Sequence, residues 1–109
     1  MTAQRRAYER FETDMAVTVV HGAGDTKVET SGKTVNVSLG GMLLELEGTV
    51  PFGAQVKVRV VLPALKEATE LAATVRWVKD GAVGVQFGSL RAKEAWALNQ
   101  LFKSLVPAA

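Results

Sequence analysis

The chain contains no cysteine, so disulfides and thiolate metal ligands are both excluded. It has one histidine, His21, which reads as a loop residue with no second histidine to share a metal. No apolar run approaches the ~20 residues needed to span a bilayer. The basic N-terminal stretch is not followed by the apolar segment of a secretion signal. A soluble, cytoplasmic protein without membrane insertion is expected. There is no Walker-type or GxGxxG loop, no nucleophile elbow, and no acid cluster suited to metal-dependent phosphodiester hydrolysis. Glu45 and Glu47 read as a solvated strand face. No catalytic residues, metal or cofactor are expected.

With 109 residues, 48% of them apolar and 22% charged, the chain suits one globular domain with a real core. The net charge of +2 is too small for strong nonspecific DNA binding, which needs many phosphate contacts, so no DNA partner is expected. The charge is unevenly placed, however. Three of the six arginines, Arg5, Arg6 and Arg10, fall within the first ten residues against one acid, Glu9. Positive potential is therefore concentrated on residues 1–11, which read as a flexible arginine-rich arm ahead of a single domain over 12–109.

Periodicity in that domain is mostly strand-like. DMAVTVVH (14–21) is β-branched and reads as a strand, GAGD (22–25) as a turn, and 27–37 as a second strand with an interruption expected at Ser31-Gly32. MLLELE (42–47) alternates, with Leu44 and Leu46 opposite Glu45 and Glu47. Val56, Val58 and Val60 alternate with Lys57 and Arg59 before Pro63. Residues 70–78 and 83–87 flank Asp80-Gly81, a strong two-residue hairpin signal. Six strands joined by short turns suggest an antiparallel barrel or sandwich. Ala95, Leu98, Leu101, Phe102 and Leu105 then recur at helical spacing. A helix over about 90–105 is expected, with Ser89 as N-cap, Pro107 as stop, and packing on an open end of the barrel.

Two short segments carry chemistry. Arginine presents a planar fork of donors that matches phosphate oxygens and the O6/N7 edge of guanine. Three such forks in RRAYER and its neighbourhood suit a guanine nucleotide, although a solvated basic tail has the same composition. NVSLGG (36–41) places Asn36 and Ser38 two apart, on one face if the strand continues. Gly40-Gly41 permits a positive φ or a close backbone approach. The same residues also make ordinary turns. Trp77 could offer its face to a base or fill the barrel core. Trp96 reads as a packing anchor of the helix, and Tyr8 and Phe11 as pins holding the arm to the barrel.

Together these segments resemble the PilZ domain family. RRAYER fits its RxxxR pattern through Arg6 and Arg10, and NVSLGG fits its [D/N]xSxxG pattern through Asn36, Ser38 and Gly41. VRWV, a turn, GVQF and a helix continue the likeness, which covers essentially the whole chain. The resemblance implies a mainly β fold, a six-stranded antiparallel barrel with a C-terminal α-helix, that binds the bacterial second messenger cyclic di-GMP. Arg6 and Arg10 would grip phosphate and guanine edges, and Asn36 and Ser38 would hydrogen-bond a guanine and its neighbourhood. Gly41 would keep backbone space open, and Gly40 beside it and Trp77, the latter from its own reading as a stacking face, are the further candidate ligand-binding residues. An arginine at the place of Arg5 goes more often with a stacked ligand pair than with one molecule, so two per site are expected. Asn36 stands where a carboxylate would accept from both N1–H and N2–H of guanine, and an amide offers one acceptor, so weaker affinity follows.

Ordering ten arm residues costs on the order of 10–20 kcal/mol, whereas three charge-assisted arginine contacts return ~5–9 kcal/mol. The arginines alone therefore cannot dock the arm. This makes the arm a candidate switch that signals to an unidentified effector protein. The alternative is an interaction adaptor of the same fold with little or no nucleotide binding.

Overall fold

The computed structural model describes residues 9–22 and 24–105. Seven strands and one helix follow in order: β1 (Phe11–Glu12), β2 (Ala16–His21), β3 (Val28–Val37), β4 (Gly41–Leu46), β5 (Gln55–Val61), β6 (Ala68–Lys79), β7 (Ala82–Phe87) and α1 (Ala92–Phe102). Six of them, β2 to β7, form a closed antiparallel barrel in the order β3-β2-β5-β6-β7-β4, with β4 returning to pair with β3. Closure leaves no long unpaired edge. The short β1 pairs with the far end of β3, Phe11 opposite Val37 and Glu12 opposite Asn36. The arm's last residue, Phe11, is thus already part of the sheet.

Alternation drives the assembly. Val17 and Val19, Val56, Val58 and Val60, and Val83 and Val85 point inward and are buried, with Met42, Leu44 and Leu71 filling the middle. Each such side chain contributes about 1.5–3 kcal/mol on full burial. The β6–β7 turn is the two-residue hairpin that Asp80-Gly81 predicts, with φ of 51° and 86°. Positive φ at both positions matches the right-handed twist of the flanking strands. β3 runs unbroken through Ser31-Gly32, contrary to expectation. Gly32 lies where a Cβ would strike the Glu45 carbonyl and the Leu46 side chain, so the glycine lets β3 and β4 approach closely.

Helix α1 is shorter than expected and begins later. Its N-cap is Arg91, not Ser89, and Pro107 lies outside the described residues. Ala97, Leu98 and Leu101 join the same core cluster as the barrel interior. A helix can reach inward-facing residues of a closed barrel only through an open end, so α1 caps one mouth. Trp96 is not the packing anchor: it is 52% exposed. At 100° per residue it sits opposite the buried face formed by Glu94, Ala97, Leu98 and Leu101.

The buried carboxylate on that face, Glu94, replaces the expected serine cap. Its Oε1 accepts the Arg91 backbone N–H at 3.1 Å, and its Oε2 accepts Arg91 Nε at 3.1 Å and Nη2 at 2.6 Å. Burial pushes this carboxyl up, but the side-chain and backbone hydrogen bonds from Arg91 and the charges of Arg91 and Lys93 outweigh it, so it sits below the usual carboxylate range. A carboxyl held below its unfolded value stabilises fully above the unfolded pKa of 4.5 and loses that contribution as pH falls through the folded value. Glu94→Gln is expected to melt roughly 4 °C lower near pH 7, the equivalent of about 1 kcal/mol for a lost helix cap. The gap between variant and wild type should close in melts taken progressively below pH 4.5.

Candidate functional site

Strand parity by itself would put Asn36 inside the barrel. Thr34 points inward and is 2% exposed, and a residue two further on shares its face. The register slips between Thr34 and Asn36, however, so that Thr34 faces Leu44 and Asn36 faces Leu43. Val35 is the extra residue of a β-bulge, and the bulge turns Asn36 to the outer surface. A second bulge lies on β6. Val75 faces Val85, and Trp77 faces Gly84, with Arg76 in excess. Leu71, Ala73 and Val75 are buried, and Trp77, which would otherwise continue that inward row, is 46% exposed.

The two displaced residues lie on one line. Glu12 pairs with Asn36, Asn36 with Leu43, Leu43 with Gly84, and Gly84 with Trp77. This row crosses the outer face of β1, β3, β4, β7 and β6. From Asn36 to Trp77 is three strand spacings, roughly 14 Å along the surface. Trp77 leans over Gly84, where an added Cβ would meet the Trp77 Cβ at 3.3 Å and the ring at 3.9 Å. The missing side chain leaves the space the tryptophan covers, a cross-strand pairing that shields glycine backbone.

At the other end of the row the two sequence motifs meet. Arg10 Nη1 donates to Asn36 Oδ1 at 2.9 Å, across 26 residues of chain. The amide oxygen helps to hold the guanidinium in place. Phe11, the next residue, stacks on Phe102 of α1 with ring centroids 4.5 Å apart and planes 11° apart. Glu9, Phe11, Leu39, Asn99, Phe102 and Lys103 line a cleft of about 520 Å³ between the arm, the NVSLGG turn and the helix. Phe11, the last residue of the arm, is therefore held beside this cleft. Arg5, Arg6 and Tyr8 lie outside the described residues.

Ser38 behaves differently from its neighbour. The strand ends at Val37, so Asn36 and Ser38 do not share a face. Ser38 is 3% exposed, and its Oγ accepts the N–H groups of Gly40 at 3.0 Å and Gly41 at 3.2 Å while lying 3.4 Å from the Gly41 carbonyl. Its hydroxyl builds the turn. Neither Gly40 nor Gly41 has a positive φ. A Cβ on Gly41 would strike the Val85 carbonyl, so Gly41 serves the close approach of β4 to β7.

A cavity of about 670 Å³ lies elsewhere, over Gly32 between β2, β3, β4 and β5, and it is lined in part by Arg59, which pairs with Glu29 and Glu70. The motif residues instead form an open wall. Among the described residues, no group of three or more His, Cys, Asp or Glu side chains could hold a metal, and no helix is long and apolar enough to cross a membrane.

The profile of the PilZ domain matches residues 4–104. The chain belongs to the PilZ domain family. The fold agrees with solved PilZ structures. The PilZ domain of YcgR from Escherichia coli, determined with c-di-GMP, is 19% identical with a TM-score of 0.71, covering 94% of this chain and 92% of that one. The PilZ domain of CeSA from a cellulose-synthesizing bacterium is 19% identical with a TM-score of 0.66, covering 84% and 92%. The inhibitor of motility MotI/DgrA of Bacillus subtilis is 18% identical with a TM-score of 0.65. There this PilZ chain is covered over 93%, and the match takes in 53% of MotI. No curated protein sequence gives a significant match.

The placement of the site residues makes two tests. Acrylamide should quench the fluorescence of both Trp77 and Trp96, and Trp77→Phe should remove a quenchable component while leaving the melting temperature within about 2 °C. A blue-shifted, unquenched Trp77 would contradict the bulge. Gly41→Ala, by contrast, overpacks the β4–β7 contact, which typically costs about 1–3 kcal/mol. Its melting temperature should fall by roughly 4–12 °C in calorimetry.

Proposed function

We propose that this PilZ domain is a receptor for cyclic di-GMP and passes the signal to a partner protein through its N-terminal arm. The observation that carries the reading is the Arg10–Asn36 hydrogen bond. It joins the arginine motif to the polar turn and sets a charged fork and an amide side by side on the barrel wall. A guanine edge presents acceptors to the arginine and both donors and an acceptor to the amide. Trp77 lies along the same row at a distance suited to a stacked base.

In this reading Arg5, Arg6 and Arg10 hold the phosphates and guanine edges, and Asn36 contacts a guanine. Ser38, Gly40 and Gly41 shape the turn, and Trp77 stacks. An arginine at position 5 favours two stacked ligand molecules. Ligand contacts draw the arm against the barrel, and the new surface is presented to the effector. Binding and signalling replace catalysis in this account.

Titration calorimetry with cyclic di-GMP tests the reading. Micromolar or tighter binding is expected, about −8 kcal/mol. It should fall at least tenfold in Arg6→Ala, Arg10→Ala and Asn36→Ala with unchanged melting temperature. Absence of heat at millimolar ligand, with a partner protein still captured, would favour the nucleotide-independent adaptor.

A further inference from the structure

Arg76 is the residue by which β6 exceeds β7, and the bulge sends two consecutive side chains, Arg76 and Trp77, to exposed positions. Ordinary strand geometry would place them on opposite faces. Other arginines of the barrel meet carboxylates. Arg59 lies 3.2 Å from Glu70 and 3.8 Å from Glu29, and Arg91 lies 2.6 Å from Glu94. Arg76 does not. Its Nε donates to Gln86 Oε1 at 2.9 Å, and among the described residues no carboxylate lies within ion-pair distance of it. A neutral amide orients the guanidinium and leaves its charge intact, with the Nη donors available for a bidentate acceptor.

The pair also has a defined place. Gln86 is the register partner of Gly41, and the Phe87 N–H donates to the Gly40 carbonyl at 2.9 Å. Arg76–Gln86 therefore abuts the NVSLGG turn. Gln86 and Gly84 are two residues apart on the outer face of β7, about 7 Å, and Trp77 covers Gly84. The cation thus stands one residue pair along the sheet from the aromatic face. In a nucleotide, a phosphate lies one sugar away from its base, a comparable reach.

We propose that Arg76, positioned by Gln86, is a further phosphate-binding residue of this site, gripping the phosphodiester of the nucleotide whose base stacks on Trp77. The inference rests on the cyclic di-GMP reading and extends it to a cation outside both sequence motifs. The arm then need not supply every phosphate contact.

The test is titration of cyclic di-GMP at low and moderate salt into the wild-type chain and the variants Arg76→Ala, Arg76→Lys and Gln86→Glu. Arg76→Ala should weaken binding at least tenfold and reduce its salt dependence, since one charge contact is gone. Gln86→Glu keeps the guanidinium but pairs it with a carboxylate, and should weaken binding comparably. Arg76→Lys should recover part of the affinity, because charge remains while the fork is lost. Melting temperatures should stay within about 2 °C of wild type, as the pair is exposed. Wild-type affinity and salt dependence in both Arg76→Ala and Gln86→Glu would overturn the role of Arg76 and leave the receptor reading standing. A wild-type chain that does not bind at all would overturn both.

Discussion

The architecture of the outer wall depends on one constraint, the two-residue parity of a β-strand inside a closed barrel. Most inward positions are committed to the valine- and leucine-rich core, and a closed ladder leaves no free edge along which a strand could slip to re-aim its side chains. An inserted residue is the local way to change which face a side chain takes. Two bulges, at Val35 and Arg76, do this on strands separated by β4 and β7. Because the intervening strands are regular, the displaced residues Asn36 and Trp77 end on the same cross-sheet row. A polar group and an aromatic face thus come to share a surface that neither would occupy by alternation.

The same wall is connected to β1 and to helix α1. Phe11 leaves the arm, pairs with Val37 and stacks on Phe102. Leu39, within the polar turn, packs against the core from the same side as Phe102. The arm, the turn and the capping helix therefore share one small apolar junction. Stacking and strand pairing hold Phe11 in place by apolar contact and backbone hydrogen bonding, independently of charge. On α1 the exposed Trp96 lies one turn before Asn99, which lines the cleft at this junction.

Neutral amides do much of the positioning here. Asn36 holds Arg10, and Gln86 holds Arg76. A carboxylate in either place would form an ion pair in the free protein that an incoming anion must compete with. At Gln86 the amide orients a guanidinium that has no carboxylate within ion-pair distance among the described residues. Away from the site the barrel uses the other arrangement, with Arg59 between Glu29 and Glu70. Such surface pairs contribute about 0–1 kcal/mol each.

Much was legible before any coordinates. Alternating valines gave the strands, Asp80-Gly81 gave the hairpin, and the spacing of Leu98 and Leu101 gave the helix, because each depends on interactions within a few residues. RxxxR and NVSLGG pointed to the family for the same reason, as short patterns of side-chain chemistry. The sequence could not reveal that Ser38 is buried in its own turn, that Glu94 caps α1, or that Trp96 faces solvent, since each depends on what packs against it. The two bulges are the decisive case. Whether Val35 and Arg76 are extra residues depends on the count of residues in the partner strand, and that pairing exists only once the barrel has closed. Residue types and local periods were thus fixed by the chain itself, whereas the face each side chain presents was decided by long-range register.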